Sequence, residues 1–182
     1  RDYFAMRYSL DTQTELATEK ALLESLLAEI ERQEAVASEI ALYKVEHAYA
    51  LSLTTETVTV LDKTIVEATI IAYDMLSVDA QANLVVEKTL LDSLTVEIER
   101  QETVITDIAA YILEHSYALA LTVEAVEVTD RSYVEVALAA YDNLSTTAQA
   151  EISIQKALLD SLLVEIGIQE TIVNDALLFN LN

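Results

Sequence analysis

Leu91, Leu94, Ile98, Ile105, Ile108, Ile112 and Leu119 recur at three, four or seven residues. That interval keeps them on one side of a helix. No helix breaker stands between residues 87 and 119. The spacing therefore predicts a single helix over that span, roughly 50 Å long at 1.5 Å per residue. The interval is also near-heptad, which suits shallow packing against other long helices. Gln33, Gln101 and Gln169 fall on the same stripe, where a polar residue fixes register at some cost in stability.

The next stretch changes character. "LTTETVTV" at 53–60 and "LTVEAVEV" at 121–128 are rich in Thr and Val, which helices accommodate less well. The pattern predicts an extended linker, with a short strand pairing left open. A second helix follows over 62–76 and 130–144, its inner face carried by Ile65, Ala68, Ala72, Tyr73 and Leu76, with Thr69 at the edge. Thr59, three residues before Asp62, has the spacing of a capping box. Glu127 stands at the matching later position, which passes the cap there to Thr129.

"AYDMLSVDAQANL" at 72–84 and "AYDNLSTTAQAEI" at 140–152 then mark a corner. Ser77 and Ser145 sit where one helix should stop and a short one start. A serine there accepts from a free helix N–H and contributes about 1 kcal/mol. Ala80 and Ala148 are small enough for the short helix to approach a neighbour closely.

These elements recur. Lys20, Lys88 and Lys156 open "KALLESLLAEIERQE", "KTLLDSLTVEIERQE" and "KALLDSLLVEIGIQE", with offsets of 88 − 20 = 68 and 156 − 88 = 68. Ser9, Gln13 and Leu16 fall on the register of Ser77, Gln81 and Leu84, so Ser9 is a third candidate cap. The organisation is then a partial repeat at 1–19, full repeats at 20–87 and 88–155, and a partial repeat at 156–182. The expected fold is all-α: a tandem helical repeat of three-helix-bundle-like modules sharing long helices in an elongated array.

Composition supports this and narrows the partners. Hydrophobic residues make up 53% of the chain, enough for a core, so this is no disordered acidic tail. There is no proline and one glycine, which argues against tight β-hairpins. The formal net charge of −22 makes nucleic acid and anionic membrane surfaces poor partners. No apolar run is long enough to cross a membrane. With no cysteine, disulfides and thiolate metal sites are excluded.

Candidate chemistry is sparse. His47 and His115 each follow a glutamate, but adjacent residues face different ways on a helix. A Glu-x-x-His metal pair would need an acid where Lys44 and Ile112 stand. Both histidines are expected to be half-buried and hydrogen-bonded near the linker, each within reach of a tyrosine four residues before it. No calcium loop, phosphate-binding glycine loop or nucleophile elbow can be built with one glycine. No enzyme activity, cofactor or metal is expected. Asn143-Leu144-Ser145 is formally a glycosylation sequon, with Met75 at the earlier copy of Asn143. Tyr43, Tyr49, Tyr111, Tyr117 and Tyr133 are candidates for an interface, since tyrosine is enriched there. Tyr133 occupies the Ile65 position, which equally fits a place in the core.

The order of "LDKTIVEATIIAYDML", "SVDAQANL" and "EKTLLDSLTVEI" resembles the tandem three-helix repeats of surface proteins from Gram-positive and related bacteria. The resemblance covers nearly the whole chain. Leu61 and Thr69 replace two alanines of that pattern, and the proline that often precedes its linker is missing. The resemblance implies a spacer or stalk of an adhesin-like protein, located at the cell surface or outside the cell. Its partners would be the neighbouring repeats. Two alternatives stay open: self-association into a surface filament, and repeated weak binding of another surface protein.

Overall fold

The computed structural model describes residues 2–180, with side chains described for residues 12–176. The chain is all-helical, and no strand occurs among the described residues. It divides into two compact units, Arg1–Glu97 and Ile98–Asn182. Neither boundary of the sequence repeat, at 20 or at 88, coincides with that division.

The first unit opens with α1 (Asp2–Glu46). Its run of Ala, Leu and Glu forms helix well, helped by i,i+4 pairing of Lys20 with Glu24 at 3.6 Å. No corner interrupts it at Leu16, where the earlier copy of the repeated phrase predicts one. Leu84 at the full corner is wholly buried, whereas Leu16 is 65% exposed. With nothing for Leu16 to pack on, intrinsic helix propensity prevails. Ser9, the candidate cap of that corner, lies outside the residues whose side chains are described.

After α1 come α2 (Ala48–Ser52), a 3-10 turn at Val60–Asp62, α3 (Lys63–Asp74) and α4 (Val78–Asn83). The linker between α2 and the 3-10 turn is folded back rather than extended. The N–H groups of Thr57 and Val58 both reach Thr54 O, at 3.0 and 2.9 Å. The turn buries Val58 completely enough to make it core. Backbone groups that a strand would pair with a neighbour are thus satisfied locally.

On α3 the inner face is Val66 and Thr69, with Tyr73 half-buried. Ile65 and Ala68 are exposed, so the true stripe lies one residue on from the predicted one, about 100° round the helix. Thr69, expected at the edge, is fully buried. Its hydroxyl is kept satisfied by Ile65 O at 2.7 Å and His47 Nδ1 at 3.2 Å, which removes the cost of burying it. Ala80 of α4 is also fully buried, where α4 packs on α1.

α5 (Val85–Glu114) contains the division between the units. In the first unit it buries Leu91 and Leu94. In the second the predicted stripe fails at Ile105 and Ile112, which are 54% and 40% exposed. The inner face there is Ile108, Tyr111 and His115. The helix also ends earlier than predicted. His115 departs from helical geometry at φ −102° and ψ 20°, and α6 (Ser116–Ala120) follows. At 1.5 Å per residue α5 is about 45 Å long.

The second unit continues with a folded linker, a 3-10 turn at Val128–Asp130, α7 (Arg131–Asp142), α8 (Thr146–Glu151) and α9 (Ser153–Asn180). Its main core joins Ala118, Val126, Val134 and Ala137 to Leu159, Leu162 and Ile166 of α9. Tyr111, Tyr141 and Ile152 form a second cluster. Gln169 is a latch on the linker, its Nε2 donating to Val126 O at 3.0 Å. Arg131 clamps α7 to α9, with Nε and Nη2 donating to Glu170 at 2.7 and 2.5 Å. Such two-pronged carboxylate pairing gives geometric specificity as well as attraction.

Candidate functional site

Among the described residues, side-chain hydrogen bonds cluster at two kinds of helix junction. The first is the corner after α3. Ser77 Oγ accepts from Ala80 N at 3.3 Å, and Ser145 Oγ accepts from Ala148 N at 3.2 Å. At Ser77 a carboxylate joins in: its N–H and hydroxyl donate to Glu39 of α1 at 2.8 and 2.6 Å. The Ser77 hydroxyl, then its N–H, holds the Glu39 carboxyl below the ordinary range. Asp107, one methylene shorter, stands at the matching position of α5 and makes no such bond among the described residues. Ser145→Ala is therefore expected to cost about 1 kcal/mol, and Ser77→Ala more, since it also strips Glu39 of a donor. Paired urea titrations check the ranking.

The same corner contains a device that spacing did not disclose. Gln81 Nε2 donates to the carbonyls of Tyr73, Asp74 and Leu76 at 3.1, 3.3 and 3.2 Å. Tyr73 returns a bond from its hydroxyl to Gln81 O at 3.1 Å. Gln149 does the same for Tyr141, Asp142 and Leu144 at 3.2, 3.3 and 3.0 Å. Helices usually end with a glycine in the left-handed region to satisfy these carbonyls. Here no described residue has positive φ, and a glutamine side chain supplies the donors. The one available hint was the Gln retained eight residues after a Tyr in both copies.

The second junction is the entry to α3 and α7. Asp62 accepts from Thr59 N and Thr59 Oγ1, both at 2.9 Å, and from the Tyr49 hydroxyl at 2.8 Å. Asp130 accepts from Glu127 N at 3.0 Å and from the Tyr117 hydroxyl at 2.7 Å. Thr129 lies inside the 3-10 turn, so Asp130 itself, not Thr129, closes the second cap. The backbone N–H in each case, then the tyrosine hydroxyl, holds these aspartates below the ordinary carboxylate range. A depressed folded value means stability that is present above the ordinary value and lost as pH falls through the folded one. Asp62→Asn should thus be less stable than the parent near neutrality, and the gap should close as pH drops below the ordinary aspartate value of 3.8. Urea midpoints at several pH values test this; a gap independent of pH would refute it.

The five tyrosines separate into two groups. Tyr43 and Tyr111 are buried, not interfacial, because each hydroxyl donates inward to a backbone carbonyl. The acceptors are Thr69 O and Ala137 O, both at 3.2 Å. Burial pushes the Tyr43 hydroxyl up to about 12. Their rings lie 4.9 Å from His47 and His115, and 6.4 Å from Tyr73 and Tyr141. Tyr49, Tyr117 and Tyr133 are exposed by more than half. Tyr133 is no core residue; its ring pairs with Tyr117 at 4.8 Å. Asn143 is exposed at the end of α7, its amide donating to Ala139 O at 2.9 Å. Ser145 of that sequon is engaged as the cap.

No group of three or more metal-ligating side chains occurs among the described residues, and no described helix is long and apolar enough to cross a membrane. The junction bonds organise helix ends. Compared with family models, curated proteins and solved structures, the chain matches none.

Proposed function

We propose that this chain is a structural spacer of a repetitive surface protein, built from tandem 68-residue modules that share long helices in three-helix-bundle-like packing. One observation carries the reading. Leu159, Leu162 and Ile166 are fully buried, while their first copies, Leu23, Leu26 and Ile30, are 66%, 51% and 53% exposed. The residues that cover the last copy are Ala118, Val126, Val134 and Ala137, all from the repeat before it. A copy is thus completed by its neighbour, the nearest-neighbour logic of a linear array. The junction bonds of Ser77, Gln81, Asp62 and Tyr43 recur at Ser145, Gln149, Asp130 and Tyr111, which supports a common module. The acidic surface would keep adjacent stalks apart.

The exposed stripe on α1 favours a second reading, self-assembly into a filament, because contiguous apolar surface marks association sites. Sedimentation and small-angle scattering over a range of concentrations separate the two. A spacer gives an elongated particle of constant mass. Mass that grows with concentration would overturn the spacer and favour the filament.

A further inference from the structure

The two units differ at two positions around their equivalent histidines. In the first unit His47 Nδ1 is bonded to Thr69 Oγ1 at 3.2 Å. In the second, Ala137 replaces that threonine, and the His115 ring makes no hydrogen bond to another described side chain. Yet His115 is only 7% exposed. It lines a cleft of about 320 Å³ with Glu114, Tyr117, Ser132 and Tyr133. No fully buried side-chain nitrogen or oxygen lacks a partner among the described residues, so the His115 ring nitrogens are not sealed in the core and stay accessible from the cleft. The second difference is at the rim. Ile65 of the first unit becomes Tyr133, whose ring pairs with Tyr117 at 4.8 Å and 60°. Asp130 fixes the Tyr117 hydroxyl at 2.7 Å.

The chemistry of the cleft is that of an acceptor. Tyrosine faces attract cations, Glu114 supplies a negative charge, and an imidazole ring nitrogen is able to accept a hydrogen bond. No lysine or arginine lines it. Arg131, next to Asp130, is already paired with Glu135 and Glu170. We propose that this cleft takes an arginine side chain presented by a basic segment of a partner protein. A guanidinium is planar, so it stacks on a tyrosine face while its N–H groups reach the imidazole and the carboxylate. A lysine ammonium is a point charge and satisfies fewer of these groups. The chain's net charge of −22 would draw such a segment in.

The test is NMR titration of the whole chain with N-acetyl-arginine amide, following histidine and tyrosine ring signals. Saturable shifts of His115 and Tyr133, with His47 unmoved, are expected. N-acetyl-citrulline amide, which has the same shape without the charge, should leave His115 unshifted. Ala137→Thr, which restores the bond seen at His47, and Tyr133→Ile should each weaken binding roughly tenfold. The threonine is accommodated at the equivalent buried site in the first unit, and Tyr133 is exposed, so both variants should fold. Absence of saturable shifts, equal response of His47, equal response to citrulline, or undiminished affinity in Ala137→Thr would each overturn the proposal.

Discussion

Leu162→Ala should destabilise the chain by about 3–5 kcal/mol, whereas Leu26→Ala should cost well under about 1 kcal/mol. The two leucines occupy the same place in the phrase "KALL-S-L", in closely similar local sequences. Leu162 is fully buried in the core formed with Val134 and Ala137, and Leu26 is half exposed. Truncating the first removes apolar contact and leaves a cavity; truncating the second removes surface that water already reaches. Leu94, also fully buried, should behave like Leu162. Urea denaturation of the three variants checks the pattern. Equal losses at Leu26 and Leu162 would mean that the α1 stripe is covered in solution, and so would count for self-association.

The second large effect is expected at the glutamine clamp. Gln149→Ala should cost about 2 kcal/mol, because the carbonyls of Asp142 and Leu144 lose its donor together while that of Tyr141 keeps only backbone N–H partners. Gln149→Glu is the sharper variant. It keeps the length of the side chain but replaces a donor with an anion, at a helix end that already carries partial negative charge. It should be at least as destabilising as alanine near neutrality. Acid should restore part of the loss by protonating the new carboxyl into a donor. Chemical denaturation at two pH values is sufficient. A Gln149→Glu variant as stable as the parent would show that water caps α7 equally well.

The junctions explain what the amino-acid pattern could and could not disclose. Long helices were legible because Leu, Ala and Glu at helical spacing have few alternatives. Ser77, Ser145 and the Thr59–Asp62 pair were legible because a cap and its N–H are three residues apart. Gln81 was hidden because its acceptors lie across a turn, on a helix whose end must first be brought beside it. Tyr43 and Tyr111 were misplaced for a related reason. Tyrosine suits both a core and an interface, and the deciding carbonyl lies 26 residues away. The face of α3 was misjudged by one position because Thr69 counts as polar until His47 and Ile65 O are seen to satisfy it. The linkers looked extended from Thr and Val alone. They turn instead, because burying Val58 and Val126 outweighs the strand preference of a segment with no strand beside it.

The stretch that is duplicated and the stretch that packs are out of phase. The division between compact units falls at residues 97 and 98, inside a helix, while the covering residues Val126, Val134 and Ala137 and the covered Leu159, Leu162 and Ile166 belong to different copies. On the spacer reading proposed above, an exchange of copies at the 68-residue interval would keep each covering segment ahead of a stripe of the kind it covers.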